Sequence, residues 1–352
     1  MHEAILYKKL SNNKVQCTAC KQNCIILPDN TGICDIRQNK DGKLYLLVYG
    51  KAASFNIDPI EKKPLYHFLP KTEIFSLGTV GCDFSCGFCQ NWDISQITKD
   101  LKNRLLREKK TADIDVEISK FGYELPPEKI VEICMEKNIP GIAYTYNEPS
   151  IFFEYAYDTA KLAGKKGIKN VFVTNGYETE EALKLLKPYL DGMNIDLKSF
   201  NDEFYKKICK ARLQPVLDTI KLAYKLGIWI EITTLIIPGK NDSDEELKKI
   251  ADFISNIGKN IPWHVTAFHP DYKMTDVPST SYTVLDKAHT IGKKAGLNYI
   301  YVGNILDDKH SNTYCPKCNT LLIKRSGFFA SIENFENGIC KKCNEKIAGI
   351  WK

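Results

Sequence analysis

Eleven of the thirteen cysteines in this 352-residue chain fall in three tight groups. Cys17, Cys20, Cys24 and Cys34 lie near the start, Cys82, Cys86 and Cys89 in the first third, and Cys315, Cys318, Cys340 and Cys343 at the end. The opening residues, Met1-His2-Glu3-Ala4-Ile5, carry no basic stretch followed by a long apolar core, so no signal peptide is expected. The chain therefore reads as cytoplasmic, a compartment in which thiols stay reduced. Clustered reduced thiols point to metal ligation rather than to disulfides.

Composition narrows the class further. With 43% apolar and 26% charged residues the chain is an ordinary globular one, neither disordered nor fibrous. A formal net charge of +6 over this length gives no reason to expect nucleic-acid or membrane partners. No run approaches the roughly 18 uncharged apolar residues of a membrane-spanning helix.

From about residue 74 to 303, short apolar runs alternate with amphipathic stretches. Strands are expected near 74–80, 141–145, 168–174, 192–197, 228–236, 263–268 and 299–302. Helices are expected near 127–137, 150–165, 178–187, 215–226, 243–258 and 281–295. Repeated β-α units imply a parallel sheet with right-handed crossovers. A closed or partial barrel and an open doubly wound sheet both fit that alternation. The charged, weakly periodic segment 91–125, with Lys109-Lys110 beside Asp113 and Asp115, reads as an insertion or lid. The expected organisation is a Cys-rich N-terminal module with a β-leaning segment (1–70), a catalytic α/β domain (71–310) and a small C-terminal module (311–352).

The central group, Cys82-Asp83-Phe84-Ser85-Cys86-Gly87-Phe88-Cys89, follows the first strand of the series. Three thiolates at this spacing can wrap one inorganic cluster and leave one iron without a protein ligand, open to a cofactor. A structural zinc site would need a fourth ligand. Loops after strand C-termini are where barrel enzymes place their chemistry.

Cys82-x3-Cys86-x2-Cys89, with Phe88 before the third cysteine, resembles the signature of the radical S-adenosylmethionine (SAM) superfamily. Further stretches resemble the branch that includes pyruvate formate-lyase activating enzyme, and more closely the radical SAM member of the AmmeMemoRadiSam system. They include Asp58-Pro59-Ile60-Glu61-Lys62-Lys63-Pro64-Leu65, Tyr144-Thr145-Tyr146-Asn147-Glu148-Pro149, Val173-Thr174-Asn175-Gly176 and Asn194-Ile195-Asp196-Leu197-Lys198. Pro238-Gly239-Lys240-Asn241-Asp242 and Phe268-His269-Pro270-Asp271-Tyr272 continue the likeness.

The resemblance implies a partial (β/α)6 TIM-type barrel. It implies a [4Fe–4S] cluster on Cys82, Cys86 and Cys89 that binds SAM at its open iron. One-electron cleavage then releases a 5′-deoxyadenosyl radical, which abstracts hydrogen from a protein substrate, as in glycyl-radical activases, or from a small metabolite, peptide or RNA. An electron donor such as ferredoxin or flavodoxin is implied as a partner. A non-enzymatic metal-binding scaffold would instead close every metal with four protein ligands.

By the same resemblance, Glu148 meets the SAM ammonium, in a motif whose two glycines are here Tyr146 and Asn147. Thr174 and Asn175 contact SAM, Phe88 packs near the adenine, and His269 approaches the cofactor. Lys198 meets the SAM carboxylate, and Asp196 helps to hold a monovalent cation.

The outer groups read from their own spacing. Cys315-x2-Cys318 and Cys340-x2-Cys343 form the paired knuckles of a zinc ribbon, with rubredoxin-type iron as the alternative. Cys17, Cys20, Cys24 and Cys34 fit zinc, the preferred reading, or an auxiliary iron–sulfur cluster.

Overall fold

The apolar runs of the central region form parallel strands, as their alternation with amphipathic helices requires. In the computed structural model of the chain, which describes residues 1–108, 110, 113–307 and 309–352, these strands fall in two units. One comprises Met1–Ile57 and Ile74–Asp191, the other Asp58–Glu73 and Gly192–Lys352.

In the first unit, β1 (Glu73–Gly78), β2 (Gly141–Tyr144) and β3 (Lys169–Thr174) run parallel, with Ile142 opposite both Phe75 and Asn170. The strand Ser54–Pro59 flanks β1. Every residue of β2 is buried, the continuous apolar run typical of a strand covered on both faces. The helices are α1 (Trp92–Ser95), α2 (Ile97–Glu108), α3 (Ile114–Ile118), α4 (Pro127–Glu136), α5 (Phe153–Gly164) and α6 (Glu180–Leu186). Pro127 opens α4 at the first helical position, whose N–H would have no partner within the helix. Thr179 caps α6, its Oγ1 accepting from Ala182 N at 3.1 Å.

The segment expected as an insertion or lid folds into α1, α2 and α3. Leu101 and Leu105, four residues apart on α2, are buried, so one apolar stripe suffices despite the surrounding charge. Lys109 lies outside the described residues. The N-terminal stretch forms short antiparallel strands, Tyr7–Lys9 with Val15–Cys17 and Arg37–Lys40 with Lys43–Leu46. Arg37, fully buried, ties them to α5. Its guanidinium reaches Glu154 Oε1 at 3.2 Å and Oε2 at 2.5 Å, and its Nε donates to Ile151 O at 2.7 Å.

The second unit repeats the pattern. Its strands β4 (Gly192–Asp196), β5 (Trp229–Ile236), β6 (Trp263–Ala267) and β7 (Ile300–Gly303) are parallel neighbours in that order. Helices α7 (Leu213–Lys225), α8 (Asp244–Ile257) and α9 (Tyr282–Lys294) connect them. Ser243 caps α8, ahead of the acids Asp244, Glu245 and Glu246 that suit the positive end of the helix dipole.

Residues 58–73 are anchored within this unit by one buried carboxylate on β5. Glu231 accepts from Tyr66 N at 2.9 Å, His67 N at 2.8 Å and Trp229 Nε1 at 3.1 Å, and its Oε2 lies 2.7 Å from His264 Nε2. Burial alone would push the Glu231 carboxyl up. The hydrogen bond and charge of His264, with His67 and Trp229, outweigh it and hold the group below its ordinary value. The C-terminal strands Leu321–Ser326 and Phe329–Ile332 carry a shared core, in which Leu322, Ile323, Phe335 and Ile347 pack with Tyr66, Tyr299 and Tyr301. Arg325 donates to Tyr66 O at 2.8 Å and lies 4.1 Å from the centre of its ring. Among the described residues no helix is long and apolar enough to cross a membrane.

Candidate metal centre and cofactor site

Cys82, Cys86 and Cys89 sit on the loop that leaves the C-terminal end of β1, and the sequence around them is built to hold that loop still. Gly78 ends the strand, where a Cβ would stand 2.5 Å from Thr145 O. Only glycine lets the loop after β2 lie this close. Asn147 on that second loop staples the first: its Oδ1 accepts from Thr79 N at 3.1 Å, and its Nδ2 donates to Thr79 Oγ1 at 3.0 Å and Gly81 O at 2.9 Å. Tyr146 takes φ +68°, a left-handed conformation that glycine adopts at less cost.

The thiols are supported in turn. Cys82 Sγ accepts from Phe84 N at 3.4 Å, and Cys89 Sγ lies 3.1 Å from Ser95 Oγ. Lys99 of α2 bonds Ser85 Oγ at 2.7 Å, and also Phe84 O, which brings a positive charge to the loop. Burial pushes the Cys82 thiol well above its ordinary range, so the thiolate needs a cation beside it. A three-thiol loop backed by a backbone N–H, a serine hydroxyl and a lysine fits an iron–sulfur cluster, with Cys82, Cys86 and Cys89 as its ligands.

Around this loop the first unit gathers acids. Glu148, on the loop after β2, is buried and caps the turn that follows, accepting from Ser150 N at 2.9 Å. It also accepts from Thr174 Oγ1 at 3.0 Å and from Asn175 N at 2.8 Å, which fixes the loop after β3. Asn175 Nδ2 reaches Asp83 Oδ1 at 2.8 Å, linking that loop to the cysteines. Burial, together with the charges of Glu178 and Asp83, raises the Glu148 carboxyl well above its ordinary range. Burial brings Glu178 up to about 7. Asp83, Glu148 and Glu178 together make a setting that favours a cationic group. The sulfonium and ammonium of SAM meet that requirement.

The remaining expected residues are placed as follows. Phe88 is buried in the cysteine loop. Asp196 and Lys198 lie on the second unit, at and just beyond the end of β4, with Lys198 Nζ 2.6 Å from Asp196 Oδ2. His269 is exposed beyond β6. Asp83, Asn147 as a staple, Ser95 and Lys99 were not legible as site-building residues. Their partners lie up to 92 positions away, as with Asp83 and Asn175, and only the placement of Asp83 between two ligand cysteines hinted at a role.

At the C-terminus, the Sγ atoms of Cys315, Cys318, Cys340 and Cys343 all lie within 4.8 Å of one another. Cys315 and Cys343 approach to 3.5 Å, Cys318 and Cys340 to 3.7 Å. A tetrahedral ion with metal–sulfur bonds of about 2.3 Å places its sulfurs about 3.8 Å apart, so this quartet fits a single metal ion.

Comparison with known proteins agrees with the geometry. The chain is 47% identical over 351 residues to the uncharacterized protein MJ0808 of Methanocaldococcus jannaschii, covering 99% of each. It is 25% identical over 216 residues to the pyruvate formate-lyase-activating enzyme of Clostridium pasteurianum, covering 56% of this chain and 80% of that one. It is 27% identical over 248 residues to the GTP 3′,8-cyclase of Limosilactobacillus fermentum, covering 63% and 71% respectively. The family description Radical SAM superfamily matches residues 76–254, from the strand that delivers the three-cysteine loop into α8. With that loop, its buried acids and its parallel strands, this chain belongs to the radical SAM superfamily of enzymes.

Proposed function

We propose that the protein cleaves SAM reductively and directs the resulting 5′-deoxyadenosyl radical to hydrogen abstraction from a protein partner, as a glycyl-radical activase does. The observation that carries this reading is the loop of Cys82, Cys86 and Cys89, one thiol short of a closed four-thiolate site and flanked by buried Asp83, Glu148 and Glu178. When bound, the cluster and SAM supply the one-electron chemistry. The chain's own residues do the rest. The three cysteines hold the cluster, Asn147 and Lys99 fix their loop, and the acids favour a cationic cofactor while a buried setting keeps water away. Phe88, Tyr146, Thr174 and Asn175 complete the pocket of the first unit in this reading. Asp196 would serve a monovalent cation.

Likeness to the activating enzyme of Clostridium pasteurianum supports a protein substrate. The fuller motif pattern supports the AmmeMemoRadiSam branch. The reading places residues 71–310 as the catalytic domain, zinc at Cys315, Cys318, Cys340 and Cys343, and a ferredoxin or flavodoxin as electron donor in the cytoplasm. In this reading a membrane is not a partner, and a nucleic acid is not expected as one.

The test is anaerobic reconstitution with iron and sulfide, followed by dithionite and SAM. 5′-Deoxyadenosine and methionine are expected in equal amounts. Their absence from a preparation that carries its full iron and sulfide contradicts the proposal.

Asn147→Ala examines the staple. It removes three hydrogen bonds to the loop of Thr79–Gly81. At about 1 kcal/mol of loop positioning or somewhat more, SAM cleavage is expected to fall about tenfold. The urea midpoint should fall modestly, since the same three bonds hold the folded loop. Wild-type cleavage rates in the variant would show that the staple does not position the loop.

A further inference from the structure

We infer that Cys17, Cys20, Cys24 and Cys34 hold a second iron–sulfur cluster rather than a zinc ion. The two outer quartets of this chain have the same donors and different shapes. At the C-terminus the four sulfurs close on one another, as a single ion of tetrahedral geometry requires. Among the described residues, the N-terminal thiols belong to no such close group. They line one cavity instead, with their sulfurs spread beyond the about 3.8 Å that a single tetrahedral ion sets between its sulfurs. That spread suits a polyatomic inorganic core.

The walls agree with that assignment. Ile26, Ile33 and Ile151 keep the cavity apolar, and the guanidinium of Arg37, held by Glu154, forms part of its wall. Asp83 also lines the cavity. That residue is the immediate neighbour of Cys82.

A second contact joins the two cysteine loops. At Gly81, φ is +92° and a Cβ would stand 2.7 Å from Cys34 O, which also accepts from Thr98 Oγ1 at 3.3 Å. The N-terminal site therefore abuts the loop of Cys82, Cys86 and Cys89. The inference does not depend on what that loop does with SAM.

Acid-labile sulfide tests it, because neither zinc nor a mononuclear iron carries any. Two variants of the full chain are prepared anaerobically, one with Cys82, Cys86 and Cys89 replaced by alanine, the other with Cys17, Cys20, Cys24 and Cys34 replaced. The first is expected to keep about two to four iron and as much sulfide per chain, with zinc near one. The second is expected to lose that same amount of sulfide relative to the wild type. Zinc near two and no sulfide in the first variant overturns the inference, as does wild-type sulfide in the second. Should either variant fail to fold, the sulfide content of the other decides. Failure of SAM cleavage alone, with sulfide retained in the first variant, would leave this assignment standing and count only against the proposed activity.

Discussion

Replacing Cys82, Cys86 and Cys89 together by alanine is expected to abolish 5′-deoxyadenosine formation, to the level of a protein-free control. The loss should be complete because the three side chains act as one unit: without them nothing brings an electron to the sulfonium. The effect should also be local. Cys89 is part-exposed and Cys82 sits in a turn whose backbone is held by Asn147 through Thr79 and Gly81, bonds that the variant keeps. Chromatography of reactions run under dithionite measures the product. Residual turnover within about tenfold of the wild type would remove these cysteines from the chemistry.

Glu231→Gln is expected to cost the second unit about 3–5 kcal/mol, the range for breaking a buried, paired charge. The carboxylate serves Tyr66 N, His67 N, Trp229 Nε1 and His264 at once. An amide offers one oxygen and points N–H groups at the remaining donors. Amide exchange should quicken first in residues 58–73, whose backbone N–H groups at Tyr66 and His67 lose their acceptor. A variant within about 0.5 kcal/mol of the wild type would mean that the network is not what anchors the segment.

The same network makes the unit sensitive to acid. Burial pushes His67 down to about 4 from its ordinary 6.5, so the unfolded chain takes up that proton first as pH falls. Glu231, held below 4.5, loses its contribution at still lower pH. Both terms have one sign: stability declines as pH drops from 6.5 through 4.

Much of this was legible in the sequence because it is written locally. Apolar runs such as Gly141–Tyr144 and amphipathic stretches such as Asp244–Ile257 declare themselves by period, and their caps sit beside them. The cysteine groups are legible for the same reason. What escaped is held by distant partners. His67 and His264 look like ordinary histidines until the fold sets both on Glu231, which lies 164 residues from the first. Asn147 looks like a substituted glycine, yet its side chain ties down the loop before Cys82 while Tyr146 takes the left-handed turn. The segment 91–125 looked loose because its charge hides a narrow stripe of Ile97, Leu101 and Leu105 on α2. Spacing could not separate zinc from a cluster at Cys17, Cys20, Cys24 and Cys34, since both take four thiolates and differ only in the room between them.

The central claim is that the three-cysteine loop leaves an iron open to SAM. Frozen-solution EPR of the dithionite-reduced protein, with and without saturating SAM, examines it most directly. The account predicts that SAM changes the cluster spectrum of the wild type and leaves unchanged whatever signal remains in the Cys82, Cys86 and Cys89 alanine variant. A wild-type spectrum identical with and without SAM would contradict it.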